Sequence, residues 1–479
     1  MTRYDISGNG TPARVDNTPA LISAGITFTY RQYHQSVAQA AAWFRGQGVK
    51  KGDRVGIIGD NSIEYILSTM ALICIGAVAC PISTRFHETT VSGILDRIGC
   101  RTVVVFPPCT TGSSSAKELV LPDLGAEPTV RAGISEADPR QEATIVFTSG
   151  TGALPKAVLH TYGSHYYSAL GSNKNIVVGT ADRWLLSLPL YHVGGLGILF
   201  RCLISGAAVV VPEPREPLEQ SMERHQVTHL SVVPTQLKRL ISNSSSINLA
   251  RNLKAVLVGG SSVDENLVRI SHHENIKIFT SYGLTEMASQ VTTSASGDPL
   301  PRLLTSGKLL PHRELMISDK GEILVRGETR FEGYVTLGGL ERPFNRDGWF
   351  ATGDLGHIDN DGYLKVTGRK DNMFVSGGEN IHPEQIEKAI MGLPGIEEAI
   401  VVGVDDDQFG KRPVAFVKTA KQRPLDSEKI VASLSATLPR FKIPIHFFEW
   451  PQDDGEISIK PSRHKLAQIA ARRISGDQV

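Results

Sequence analysis

Short apolar runs of strand character recur along the first part of this chain: Val55-Gly56-Ile57-Ile58, Thr102 to Phe106, Trp184 to Leu188, Ala207 to Val211, His229 to Val233 and Ala255 to Val258. Helix-period sequence fills the intervals between them. Strands that are apolar on both faces need cover on both faces, which largely parallel sheets with helices packed on them provide. The expected class is therefore α/β. From Gly321 the texture changes, and GEILVRG, GYLKVTGR and the turn DNDG predict short antiparallel strands, read here as a small β-barrel piece. After Arg369-Lys370-Asp371 a compact α+β unit begins, with a helix over Pro383 to Met391 and strands over Ala399 to Val404 and Val414 to Lys418. The predicted architecture is a large N-terminal domain of stacked α/β subdomains over 1–370 and a small mobile α+β domain over 371–479. No internal repeat is visible, and the Ser-rich stretches at 112–115 and 242–246 read as surface loops.

At 479 residues the chain is too long for one core. Fifty basic against 49 acidic residues, a net charge of +1, removes any global electrostatic case for nucleic acid or an anionic membrane as partner. Five cysteines, Cys74, Cys80, Cys100, Cys109 and Cys202, show no CxxC or His-linked metal spacing. Together with an N-terminus lacking an apolar signal core, they predict a cytoplasmic protein. Ile66 to Ile82 approaches the length of a membrane span, but Gly76 and Pro81 divide it into a buried helix and a short core strand.

The chemistry starts at TSGTGALPKAVLHT, residues 148–161, directly after the apolar run Ala143 to Phe147. Hydroxyls, glycines and a lysine in one loop suit oligophosphate. A Walker loop would need glycine before the lysine and a hydroxyl after it, whereas Pro155 and Ala157 flank Lys156. Further stretches follow in order: SLPLYHVGGL (187–196), VLVGGSS (256–262), SYGLTE (281–286), FATGDLG (350–356), GRKDNMFVSGGENIHPEQIE (368–387) and IKPSRHKL (459–466). Tyr282 offers a flat face for adenine, Glu286 is a hard oxygen ligand for Mg²⁺ beside phosphate, and Asp354 with Arg369 can hold a ribose diol. An isolated YGLTE would more often be an ordinary turn.

Taken together, these stretches closely resemble the ordered core motifs of the adenylate-forming superfamily, which includes acyl-CoA and aryl-CoA synthetases, luciferases and peptide-synthetase adenylation domains. The resemblance covers nearly the whole chain. It implies an AMP-forming acid–thiol ligase using ATP, Mg²⁺ and coenzyme A, with ATP held by Thr148, Ser149, Gly150, Thr151, Gly152, Lys156, Gly260, Ser261, Tyr282, Gly283, Thr285, Asp354 and Arg369. Glu286 takes the metal ligand's place, Lys460 and His192 the catalytic ones, and Asp371 the hinge. His192, Gly194, Gly195, Thr235 and Gly283 fall at the acid pocket, and Ser376, Gly377 and Gly378 at the face that receives coenzyme A.

The chain departs from the family loop TSGTTGxPKG at Gly152, Ala153 and Ala157, and from GKxxR at Ile459. Lys465 lies near Lys460, but the Lys-x-x-Arg-x-x-Leu spacing through Arg463 and Leu466 favours Lys460. Neither Tyr191 nor His192 is acidic, which disfavours an amino-acid substrate. LPKAVLHTYGSHYYSALGSN, LLSLPLYHVGGLGILFRCLISGA and THLSVVPTQLKRLI most resemble the o-succinylbenzoate:CoA ligases of menaquinone and phylloquinone biosynthesis. The implied acid is activated on its succinyl carboxylate and keeps a second, aromatic carboxylate, for which Arg201, His192 and Thr235 are candidate partners. A ligase for another aryl or medium-chain acid and a non-catalytic nucleotide-binding protein stand as alternatives. A homodimer is compatible with the sequence.

Overall fold

The computed structural model describes residues 16–107, 109–111, 115–122, 138–148, 154–420, 424–451 and 463–475. Contacts divide the chain into two compact units. The first comprises the residues up to Val263, Leu267–Leu315 and Val325–Phe350, and the second Asp264–Asn266, Met316–Leu324 and the chain from Ala351 onward.

Two large sheets build the first unit. In one, eight strands run in the order Gly339–Glu341, Gly333–Thr336, Lys156–Thr161, Glu142–Thr148, Val78–Ile82, Arg54–Ile58, Thr102–Val105 and Lys117–Leu119. In the other, Ala208–Val210, Arg183–Leu185, His229–Val232, Ala255–Val258 and Ile278–Leu284 are consecutive parallel neighbours. Helices Tyr30–Gly46, Ile63–Ile75 and Val193–Ser205 pack among Ile57, Ala79, Val146, Trp184, Val209 and Phe279 in one apolar cluster. The strands were legible because buried parallel strands read as unbroken Val and Ile runs. The apolar stretch after Ile66 divides as predicted: Ser62 caps the helix through Tyr65 N–H, Gly76 ends it at φ 79°, and strand Val78–Ile82 follows. Among the described residues no helix is long and apolar enough to cross a membrane.

Two expectations needed correction here. The run Trp184 to Leu188 leaves the sheet after Leu185, because Asn61 takes over its backbone: Nδ2 donates to the carbonyls of Leu186 (3.2 Å) and Leu188 (2.9 Å), and Oδ1 accepts from Leu190 N–H (2.9 Å). Residues 244–246, expected in a loop, open the helix Ser244–Asn252, since Asn243 accepts from Ser246 N–H at 2.8 Å and Ser246 Oγ reaches Glu219 at 3.1 Å. Serine clusters serve caps as readily as loops. The stretch 112–114 lies outside the described residues.

The second unit holds the antiparallel pair Ile396–Asp406 and Gly410–Thr419, extended in parallel by His446–Glu449 and covered by helix Pro383–Met391 on Ile386 and Ile390. The barrel-like piece is a four-stranded sheet in the order Arg313–Ile317, Glu322–Gly327, Phe350–Ile358, Leu364–Arg369. Its strands run in an open order, and four are too few to close around a filled interior.

Candidate active site

Strand Glu142–Thr148 is buried along Ala143 to Phe147 and carries Thr148, the first residue of the 148–156 stretch. Lys156 returns as the first residue of strand Lys156–Thr161, directly paired with Thr148. The two strands that flank the loop are thus antiparallel partners, whereas a Walker motif leads from a strand into a helix, which accounts for Pro155 and Ala157 around the lysine. Ser149, Gly150, Thr151 and Gly152 lie outside the described residues, as does Lys460.

Lys156 Nζ stands 4.8 Å from the centre of the Tyr334 ring, and Tyr334 donates its hydroxyl proton to Glu286 Oε1 at 2.8 Å. Glu286 sits in the single turn Thr285–Met287 after strand Ile278–Leu284. Three backbone features fix that turn: Phe331 N–H donates to Glu286 O at 2.8 Å, His160 Nε2 meets Thr285 O at 2.7 Å, and Ala288 takes the left-handed φ of 53°. His160 is fully buried, and desolvation lowers its pKa to about 4, so it is the neutral imidazole that donates to Thr285. Tyr282 and Gly283 precede the turn on the same strand, where the register slips against Ser289–Thr293. A Cβ on Gly283 would strike the Ser289 carbonyl oxygen, so the tight return requires glycine here.

Among the described residues no three His, Cys, Asp or Glu side chains gather as a metal cage. Glu286 as a single carboxylate fits Mg²⁺, which keeps several waters and takes one or two carboxylates plus substrate phosphate oxygens.

The residues expected at the acid pocket begin at helix Val193–Ser205. His192 precedes it, exposed on one side, with its pKa lowered by desolvation and then by the Arg85 charge; it is neutral at pH 7. Gly194 lies 2.9 Å from Leu188 Cδ1 measured from an added Cβ, and a Cβ on Gly195 would meet the Pro189 carbonyl, so both admit close chain approach. Thr235 is exposed in the first turn of helix Pro234–Leu240, which Gln236 ties to the Ser187 carbonyl at 3.3 Å. Gly260, at φ 86°, and exposed Ser261 follow strand Ala255–Val258.

Arg201, on the same helix as Gly194 and Gly195, is 1% exposed. Its Nη2 donates to Gln290 Oε1 at 2.6 Å and to Ser289 Oγ at 3.3 Å, its guanidinium lies 5.3 Å from the Trp184 ring centre, and its Nε has no partner. Burial lowers its pKa to about 10, which still leaves it charged. Among the described residues no carboxylate pairs with it.

In the second unit, Asp354 and Arg369 face one another across the antiparallel pair Phe350–Ile358 and Leu364–Arg369. Arg369 Nη1 donates to Asp354 Oδ1 and to Thr352 O, both at 3.0 Å, while Nη2 donates to Asp371 Oδ2 at 3.2 Å. Asp354 is held with one edge occupied by the arginine. Asp371 follows in an exposed turn. Ser376 is buried, and Gly377 and Gly378, with φ of 57° and 87°, form the two-residue tip of hairpin 374–381.

Sequence reasoning passed over Tyr334, Gln290, His160 and Asn61. For Tyr334 a faint signal existed: in strand Gly333–Thr336 the two-residue period buries Val335 and sends Tyr334 to the other face.

The AMP-binding enzyme family matches residues 11–335, and the AMP-binding enzyme C-terminal domain matches 385–453. The chain is 35% identical over 451 residues to the 2-succinylbenzoate–CoA ligase of Salmonella typhimurium, covering 94% of each. Its fold is similar, at a TM-score of 0.85 and 28% identity over 96% of each chain, to o-succinylbenzoate CoA synthetase (MenE) from Bacillus subtilis in complex with the acyl-adenylate intermediate OSB-AMP. The same enzyme in complex with ATP and magnesium ion gives a TM-score of 0.83 at 29% identity, covering 92% of this chain and 94% of that one. With the family's model matching residues 11–335 and the likeness to its members running nearly end to end, the chain belongs to the AMP-binding, adenylate-forming enzyme family.

Proposed function

We propose that this chain is an ATP-dependent 2-succinylbenzoate–CoA ligase of menaquinone biosynthesis, working in the cytoplasm and forming o-succinylbenzoyl-CoA through an acyl-adenylate. The observation that carries the reading is the near-full-length likeness to 2-succinylbenzoate–CoA ligases. A carboxylate oxygen of the acid attacks the α-phosphorus of ATP, and the bond to the β-phosphate oxygen breaks to release pyrophosphate. The coenzyme A thiolate then attacks the acyl carbonyl and AMP leaves with the C–O bond electrons. In-line transfer of this kind depends on positioning and charge neutralisation. Lys156 and the 148–152 loop hold the pyrophosphate end, and Lys460 bridges the acyl carboxylate and α-phosphate. Tyr282 stacks on adenine, and Asp354, oriented by Arg369, accepts from the ribose hydroxyls. Glu286 would hold Mg²⁺, whose charge offsets that of the phosphates.

Arg201 supplies positive potential for the aromatic carboxylate. Support comes from a buried guanidinium with no carboxylate partner among the described residues, since an uncompensated buried cation costs stability unless an anion joins it. A neutral His192 lines the acid entrance without adding charge, and Gly377-Gly378 lets the pantetheine arm approach the backbone. The small domain turns about Asp371 between the two half reactions; its exposed position in a turn is what supports that role. Five free cysteines suit a reducing compartment. A homodimer, readable by sedimentation, completes the proposal.

Thioester formation with release of AMP and pyrophosphate, assayed over a panel of acids, tests the substrate. o-Succinylbenzoate should give the highest kcat/KM, with benzoate, fatty acids and amino acids poor. A clearly better simple aryl or fatty acid would leave the enzyme class standing and overturn the substrate.

A further inference from the structure

Strand Gly333–Thr336 lies against Lys156–Thr161, with Tyr334 opposite Val158 and Val335 opposite Ala157. The pairing brings Tyr334 beside the root of the nucleotide loop without any motif announcing it. Its phenol hydroxyl donates to Glu286 Oε1 at 2.8 Å, and its ring face lies 4.8 Å from Lys156 Nζ. The ring is itself held edge-on by fully buried Phe331, 4.9 Å away at 59°, whose N–H fixes the Glu286 carbonyl.

Lys156 and Glu286 carry opposite charges and both contact one aromatic residue, the carboxylate at its hydroxyl and the ammonium over its ring. Direct pairing would cancel the cation meant for phosphate and the anion meant for metal, and among the described residues no ion pair joins them. A phenol is suited to contacting both, because its hydroxyl donates to the anion while its π face attracts the cation. It satisfies both and neutralises neither. The Glu286 backbone is pinned, but its carboxylate still has three side-chain torsions; the Tyr334 bond restrains one oxygen and leaves Oε2 to turn outward.

We propose that Tyr334 is a positioning residue that holds the Glu286 carboxylate in its metal-ready orientation and keeps Lys156 from collapsing onto it. The inference rests on the assignment of Glu286 to Mg²⁺ made above. Its consequence is that the hydroxyl acts only when metal is used, and the ring acts through the lysine.

Tyr334→Phe removes the hydroxyl and keeps the ring, while Tyr334→Leu removes both. The probe is α,β-methylene-ATP, which cannot be adenylated, with its affinity measured by calorimetry with and without Mg²⁺ and with AMP as a metal-independent control. For Tyr334→Phe we expect affinity in Mg²⁺ to fall about three- to tenfold, with AMP affinity and melting temperature unchanged. Tyr334→Leu should lose more, through an added loss of metal-free triphosphate affinity as Lys156 pairs with Glu286. Glu286→Gln tests the underlying assignment separately, since it alone should abolish most of the Mg²⁺ enhancement. In that background Tyr334→Phe should add nothing. A Tyr334→Phe protein with unaltered Mg²⁺ enhancement, an equal loss for AMP, or a full additional loss on top of Glu286→Gln would each overturn the proposal. A Glu286→Gln protein with normal Mg²⁺ enhancement would overturn the assignment beneath it.

Discussion

Two buried histidines beneath the Glu286 turn show how single side chains set this protein's response to acid. His160 and His165 have ring centres 5.1 Å apart, and His165 bonds Thr144 Oγ1 at 2.8 Å while its ring stacks on Phe200. Desolvation lowers both pKa values, to about 4 for His160. A base whose folded pKa lies below its unfolded value of about 6.5 makes the unfolded state bind more protons between the two, so stability is intact above pH 6.5 and declines towards pH 4. At 1.36 kcal/mol per pH unit, His160 can withdraw about 3 kcal/mol over that window. His160→Gln keeps a donor for the Thr285 carbonyl and cannot titrate, so its urea midpoint should fall less between pH 7 and 5 than that of the parent. Parallel slopes would exclude His160 as a source. Lys460→Ala belongs to the same scale: adenylation should slow on the order of 10²–10³-fold, as for other lost transition-state donors. Chemically supplied acyl-adenylate should still react with coenzyme A at near the normal rate. The same selective defect at Lys465 instead would reassign the C-terminal lysine.

At the scale of elements, hairpin 374–381 and helix Arg463–Ser475 carry the argument. Gly377 is left-handed at φ 57°, and a Cβ there would lie 2.9 Å from Phe409 Cδ1, so Gly377→Ala combines backbone strain of about 1–2 kcal/mol with a displaced ring. Separate measurement of the half reactions should show thioester formation slowed about tenfold and adenylation nearly unchanged; an equal loss in both would remove the hairpin from the coenzyme A face. Helix Arg463–Ser475 is moored by Arg463, whose guanidinium forks onto Glu387 at 2.5 and 2.9 Å and also donates to the Val401 carbonyl at 2.6 Å. Glu387 is buried, so Arg463→Met should cost roughly 2–4 kcal/mol in denaturant unfolding by leaving its carboxylate unpaired. Adding Glu387→Met should recover much of that loss, because two apolar side chains leave no stranded charge. If the double variant is no better than the single, the ion pair is not what holds the helix.

For the whole molecule, the proposed two-step mechanism has the small domain present two faces to one nucleotide in turn, and a variant at its proposed pivot tests this. Asp371→Pro fixes φ and removes a backbone donor at the proposed pivot. The variant should still exchange pyrophosphate into ATP while forming little thioester, and rapid-quench measurement of both steps would show it. Comparable loss of both in a folded protein would place the pivot elsewhere.

The sequence by itself determined the α/β strands, the division at Gly76, the helix over Pro383 to Met391 and the order of the nucleotide motifs. Local rules govern these: apolar runs, capping residues and glycines that take φ of 79° or 57° without steric cost. It also pointed to Asp354 and Arg369 as partners at one sugar, each from its own recognisable motif. Only tertiary structure decided that they lie opposite one another on paired strands, that Asn61 draws residues 186–190 out of the sheet, and that a tyrosine from strand Gly333–Thr336 contacts both Lys156 and Glu286. Arg201 reads in sequence as one of three candidate partners for an anion, and folding buries it beside Gln290 with no carboxylate partner among the described residues. The reason is common to all of these. A motif records what neighbouring residues do to one backbone, whereas a contact between distant strands depends on sheet order and register, which local sequence does not encode.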